Sequence, residues 1–372
     1  MAATAILFAL LLSLQTIGCG DSAGTQPPPP PPPPQFTTID APGAGPASPG
    51  GTFGIGINAG GDVVGYFIDS NGVVHGFIRN SSGGMTPVDA PGAGTAQNLG
   101  TEVSGINASG EAAGFFFDPQ GTLHSYIRSS GGTLAEFDPP GSTGSDAFWI
   151  NDGGAVAGGV IDLNGSHGFV RAADGTFTNF DPTGKASQVG AVIPNQIGAS
   201  GAVAGNYFDT NTVNHGFFSD TNGTITVFDA TGAGTGSGDG TRAYDMNSSG
   251  VIVGGVTTAF AGGLATSHSY IRNTDGTFMV FDPPMAGPNG SIADGINDSG
   301  TIIGEFLDAN LVRHGYLRNT DGAFAVLDDP SAAQLPVSFT NFDTVLRRIN
   351  ASGAIVGLFS DPAGIRHGFI RE

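Results

Sequence analysis

Apolar residues in this chain come in short runs that recur in a fixed order. The first set reads Gly56-Ile57-Asn58, then Val63-Val64-Gly65-Tyr66-Phe67-Ile68, then Val73-Val74-His75-Gly76-Phe77-Ile78-Arg79, and finally Thr86-Pro87-Val88-Asp89. Between the runs stand fragments such as Asn-Ala-Ser-Gly, Asp-x-Asn-Gly and Asn-Thr-Asp-Gly. These read as hairpin turns, because Asn, Asp and Gly tolerate the positive φ that such turns require. The runs are too short for helices, and the middle two are apolar at successive positions, so both faces of those strands are expected to be buried. Each set therefore predicts four antiparallel strands, labelled a (ending at Ile-Asn), b (Val-Val-Gly), c (His-Gly-Phe-Ile-Arg) and d (ending at Asp-Ala-Pro or Phe-Asp-Pro).

The Ile-Asn anchor returns at Asn107, Asn151, Asn247, Asn297 and Asn350, with Met246 in place of the isoleucine once and Gly198 standing where a further Asn is due. Anchors lie 44 to 53 residues apart, a period that fits propeller blades and excludes leucine-rich or ankyrin units. The two ends complement each other. Phe36 to Ala44 is a d strand with no a, b or c before it, and the last a, b, c set stops at Glu372 without a d. The fold expected is all-β: a seven-bladed β-propeller of four-stranded antiparallel blades, closed by the N-terminal strand pairing with the C-terminal blade. Such closure removes free sheet edges, and a monomer is expected.

The pattern Ile-Asn-x-x-Gly, Val-Val-Gly, Gly-x-x-His-Gly-Phe resembles the bacterial extracellular HAF-repeat family, named for a His-Ala-Phe tripeptide. The resemblance runs from Phe36 to Glu372. The tripeptide here is His-Gly-Phe or a variant such as His124-Ser-Tyr, His268-Ser-Tyr and His314-Gly-Tyr, and Arg usually replaces the Trp found two positions on in the family. The resemblance implies an exported repeat protein and transfers no catalytic residue.

The N-terminus agrees with export. Ile6 to Leu14 is apolar but too short to span a bilayer, and Thr16-Ile17-Gly18-Cys19 resembles a lipobox, with Cys19 as the acylated residue. Two features depart from that pattern: Thr16 stands where Leu is usual, and no positive charge precedes the apolar run. A chance Cys behind an ordinary cleaved signal, and hence a secreted protein, is the alternative. With no second cysteine, no intramolecular disulfide is possible. Pro27 to Pro34 reads as a polyproline II spacer of roughly 25 Å. The organisation expected is thus residues 1–19 as export signal, 20–35 as Pro-rich linker and 36–372 as propeller, held at the surface of a bacterial envelope by its lipid.

Composition narrows function mainly by exclusion. The formal charge is −20 and Lys185 is the one lysine, so nucleic acid is not an expected partner. No cofactor is expected. Every histidine begins a tripeptide, and the first six are each followed fourteen residues later by an aspartate. These pairs are His75 with Asp89, His124 with Asp138, His167 with Asp181, His215 with Asp229, His268 with Asp282 and His314 with Asp328. His367 is expected to find Asp40 through the closure. One such pair alone resembles a catalytic dyad; repetition at fixed spacing argues for structural clasps between strands c and d. The histidines are too dispersed to converge on one metal ion. Asp69-Ser-Asn71-Gly72 and Asp162-Leu-Asn164-Gly165 open like calcium loops but have the length of turns, so no metal site is expected.

Candidate binding residues are those where repetition fails. The residue before Ile-Asn is Gly56, Gly105 or Gly295 in three copies, but Trp149, Gln196, Asp245 and Arg348 in the others, with Phe148, Tyr244 and Arg347 one position earlier. On the innermost strand these lie near the axis, where they either form a ligand site or plug the channel. The function expected is a non-enzymatic binding or scaffold module for a protein or extracellular glycan. A glycan hydrolase or lyase and a purely structural envelope component are the alternatives. Against hydrolysis stands the apparent lack of an unrepeated carboxylate pair near the axis.

Overall fold

The computed structural model describes residues 35–46, 50–183, 191–261, 264–336 and 343–372. The expectations for the export signal, Cys19 and the proline spacer lie outside the described residues. The described chain is all-β, with twenty-eight strands and no helix.

Strand a of the first unit is Gly51–Ile57, b is Val63–Ile68, c is Val74–Arg79 and d is Met85–Val88, and they pair antiparallel in that order. The same pattern follows with a strands at Gly100–Ile106, Gly144–Ile150, Val192–Ile197, Gly240–Met246, Ser291–Ile296 and Thr344–Ile349. The last of these pairs with Ile355–Ser360 and that strand with Arg366–Arg371, whose outer edge is taken by Phe36–Ile39, in the register Phe36 to Arg371 and Ile39 to Gly368.

The third residue of each tripeptide forms the core. Phe77, Tyr126, Phe169, Phe217, Tyr270, Tyr316 and Phe369 are all 0% exposed, and burying each such ring stabilises by about 2–3 kcal/mol. The clusters span neighbouring units: Val64 and Val88 of the first pack with Val103, Phe116 and Tyr126 of the second. A sheet buried on both faces explains the continuous apolar runs in b and c. Three of the arginines that close tripeptide strands reach the preceding unit. Arg171, Arg272 and Arg318 sit 5.0, 4.7 and 5.1 Å over Phe137, Phe228 and Phe281.

Every a strand carries a β-bulge just before its anchor. The register with b slips between Gly54 and Gly56, and likewise at the matching place in the other six. The bulge explains the glycine of Val-Val-Gly opposite it, since a Cβ on Gly65 would stand 1.9 Å from the carbonyl oxygen of Phe53. It also re-aims the side chains next to the anchor, as bulges do.

The anchor asparagines join the units to one another. Asn58 Nδ2 donates to the carbonyl of Asn107 at 3.1 Å, Asn107 to Asn151 at 3.2 Å and Asn151 to Gly198 at 2.9 Å. Asn247 donates to Asn297 at 3.5 Å, Asn297 to Asn350 at 3.3 Å and Asn350 back to Asn58 at 3.0 Å. The Oδ1 of the same side chains accepts from their own turns, as from the Asp62 and Glu111 amides at 2.9 Å. An amide is needed because one side chain must donate outward and accept inward. Gly198 accepts through its carbonyl but has no side-chain amide to donate onward, and there the chain of amides is interrupted.

Candidate functional site

Of the seven expected clasps, six are hydrogen-bonded through Nδ1. His75–Asp89 and His215–Asp229 stand at 2.9 Å, His268–Asp282 at 2.6 Å, and His124–Asp138, His314–Asp328 and His367–Asp40 at 2.7 Å. The seventh expectation is corrected. Asp181 accepts instead from the backbone and hydroxyl of Thr183, while His167 Nε2 approaches Asp162 at 3.4 Å. In that unit the b–c hairpin is tighter, with Asp162 paired to Gly165, which brings the turn aspartate to the ring. Elsewhere the turn aspartates Asp69, Asp118, Asp209, Asp308 and Asp361 stand 3.6–3.8 Å from the Nε2 of the clasped histidines. At His124, burial pulls the pKa down, but Asp138 and Asp118 outweigh it and the net shift is upward. A ring from strand b stacks on five of the imidazoles, for example Phe67 on His75 at 5.0 Å. Pinned by carboxylates and covered by an aromatic, these imidazoles act as fasteners of the c–d hairpin.

The six candidate binding residues gather around two cavities. One, of about 290 Å³, is lined by Trp149, Tyr244, Asp294, Glu305, Arg347 and Arg348 among others. The second, of about 220 Å³ beside the anchor asparagines, takes in Trp149, Gln196, Asp245 and Arg348. Trp149 and Arg348 belong to both and stand between them. Arg348 lies 4.0 Å over the indole of Trp149 and donates to the carbonyls of Asp294 at 3.0 Å, Asn195 at 3.2 Å and Tyr244 at 3.4 Å. One guanidinium thus ties together residues of five units, and burial lowers its pKa. Gln196 donates to Asp245 at 2.7 Å, and Asp245 also accepts from the amides of Met246 and Ile296. Arg348, Gln196 and Asp245 are therefore committed to the protein itself and plug the passage. Tyr244 and Arg347 face the larger cavity.

That cavity holds groups that sequence reasoning missed. Asp294 is the bulged residue of its strand, one before Gly295, and Glu305 lies on strand b of the same unit, paired with Ile292. The expectation that no unrepeated carboxylate pair lies there is corrected: the bulge turns Asp294 toward Glu305. Asp294 Oδ2 and Glu305 Oε2 are buried without a hydrogen-bond partner. Burial first, and then the Glu305 charge, push the Asp294 carboxyl well above the usual carboxylate range. Glu305 is ion-paired through its other oxygen with Arg313. An adjoining cavity of about 250 Å³ shares Tyr244, Ile292 and Glu305 and adds Arg242 and Arg313. On the a strands of the second and third units, Glu102 and Asp146 are buried, and burial raises each to about 7. The signal available in the sequence was that Glu305 takes a place held by Tyr66, Phe115 or Leu358 in other copies.

No protein-family model matches the sequence, and no curated protein does. Solved structures do match by shape. A streptogramin B lyase aligns with TM-score 0.55 at 15% identity, covering 90% of this chain and 97% of that one. The β-propeller domain of the Trilobed protease from Pyrococcus furiosus gives 0.57 at 8% identity, over 86% and 92%. The BP39L lectin from Burkholderia pseudomallei gives 0.51 at 10%, over 85% and 92%. At such identities the likeness is one of fold alone, and the fold of residues 35 onward is a β-propeller.

Proposed function

We propose that this chain is an exported, lipid-anchored propeller of the HAF-repeat kind that serves as a non-enzymatic binding module, taking an extracellular glycan at the mouth of its axial channel. Its blades number seven, and Phe36–Ile39 completes the last one. The pairing of that strand with Arg366–Arg371 and the bond from Asn350 to Asn58 support this closure.

One observation carries the binding reading. Departures from the repeat converge on one mouth of the channel: Tyr244, Asp294, Glu305 and Arg347 occupy positions that are mostly apolar or small in other blades. Polar groups collected around an aromatic wall are what a saccharide requires. Among the matched folds is a lectin, which fits this role. The plug formed by Arg348 leaves a blind funnel rather than a pore. The test is a glycan panel offered to the full-length protein, with Trp149 emission and released product both followed. A saturable emission change without product supports the module. No response to any glycan overturns it. The Asp294–Glu305 pair favours one rival, a glycosidase, since such enzymes use two carboxyls. Product released by the wild type and abolished by Glu305→Gln would establish that rival instead.

A further inference from the structure

The arginines of this chain divide into two sets. Arg79, Arg128, Arg171, Arg272, Arg318 and Arg371 close the repeated tripeptide strands. The others are Arg242, Arg313, Arg347, Arg348 and Arg366, and all lie on strands a or c of the last three blades. Arg366 lies 5.4 Å over Phe53, away from the funnel lining. In a protein of net charge −20, the other four line the two adjoining cavities. Arg347 is exposed there, and its guanidinium makes no ion pair among the described residues.

The geometry points to a carboxylate-bearing sugar, such as a uronic acid residue, as the ligand of this funnel, with its carboxylate received by Arg347 and its hydroxyls by Asp294 and Glu305. The inference rests on the funnel being the binding site and adds the charge of the ligand. A guanidinium fork matches a carboxylate in shape as well as charge. The unpartnered Oδ2 of Asp294 and Oε2 of Glu305 are buried polar atoms awaiting partners, and hydroxyl groups supply them. Tyr244 offers a flat wall against which the apolar face of a pyranose ring can lie. Arg242, Arg313 and Arg347 line the two adjoining cavities together with Asp294 and Glu305, and Arg347 is the arginine among them that is exposed. Adjoining cavities of about 290 and 250 Å³ admit one or two sugar rings. A metal-bridged ligand is not favoured, since no group of three or more metal-ligating side chains occurs among the described residues.

The experiment titrates full-length protein with short oligomers of galacturonate, glucuronate and mannuronate, each as the free acid and as its methyl ester, and with neutral galactose oligomers. Trp149 emission and calorimetry report binding. The expected result is binding of at least one acid, weakened about tenfold or more by esterification and by Arg347→Gln, and weakened by salt. Arg79→Gln, which removes a charge at a repeat position, should leave affinity unchanged, and melting curves check that both variants fold. Equal binding of acid, ester and neutral oligomer, all lost on Asp294→Leu, would overturn the charge inference and leave the funnel as a glycan site. Acid binding that ignores both Arg347→Gln and Asp294→Leu would place the ligand elsewhere and overturn both. No binding of any acid, with a neutral glycan bound, would overturn the charge inference alone.

Discussion

At the scale of single residues, the inner strands hold acids in unusual states, and their titration makes a direct prediction. Burial raises Glu102 to about 7 from an ordinary value of 4.5. Below pH 4.5 the carboxyl is protonated whether the chain is folded or not, and the group has no effect on stability. Between 4.5 and 7 the unfolded chain ionises while the folded one resists, so stability falls as pH rises and then levels off above 7. The gap corresponds to roughly 3 kcal/mol. Glu102→Gln should therefore match the wild type in urea denaturation at pH 4 and exceed it by about 3 kcal/mol at pH 8. Equal stability at both pH values would mean that Glu102 is hydrated in the native state. Asp146, raised to about 7 by burial but with the Gly159 amide at 3.0 Å pulling the other way, should follow the same course.

At the scale of the strand and turn, repeated devices can be tested against the copies in which they fail. Asp229 clasps His215, whereas Asp181 does not reach His167. Asp229→Ala should lower stability by about 0.5–1.5 kcal/mol, the lower end being set by the exposure of the carboxylate. Asp181→Ala should change the His167 environment, read by its NMR shift, hardly at all. The anchor ring offers the opposite experiment. Gly198 is not among the positive-φ residues, and a Cβ there would press only on the flexible end of Met246, at 3.3 Å, with the Ala202 carbonyl and Ser200 hydroxyl at ordinary contact of 3.7 and 3.9 Å. Gly198→Asn can thus supply the missing donor to the Asn247 carbonyl and a cap for its own turn. It should raise the urea midpoint by the equivalent of about 0.5–1.5 kcal/mol. A lowered midpoint would show that Met246 cannot yield. These devices were legible because a residue needed in every blade recurs at a fixed spacing, and both the clasp and the anchor could be read that way. What the amides do was not legible, since the pattern Ile-Asn shows a position without its partner one blade away. The bulge was hidden for a different reason. No residue type marks it, so Asp294 looked like an ordinary strand residue before Gly295. Glu305, on another strand, gave no hint that the two would meet.

At the scale of the whole molecule, the first strand and the last blade share one fate. Phe36–Ile39 adds four backbone pairs to Arg366–Arg371, and its Ile39 is buried beside Ala41, Val63, Phe67, Val356 and Ile370. Phe36 meets Phe369 edge-on at 5.1 Å, and Asp40 holds His367. The Ala41 amide also donates to Thr52 at 2.9 Å, so the segment couples the last blade to the first. A propeller blade without its outer strand leaves its third strand with an unpaired edge and its neighbour's core uncovered on one side. Removal of residues 36–44 should therefore destabilise more than any single clasp, by several kcal/mol, because a strand, an aromatic contact and a clasp are lost together. The decisive measurement is hydrogen exchange. If the ring is closed by this strand, protection should fall first in the blade of Ile355–Ser360 and the adjoining first blade, and least in the blades on the opposite side. Uniform protection and an unchanged melting curve would show that the propeller stands without its N-terminal strand. Local loss would show that the funnel, whose arginines belong largely to the last blades, is held in shape by a strand that precedes every one of them in the sequence.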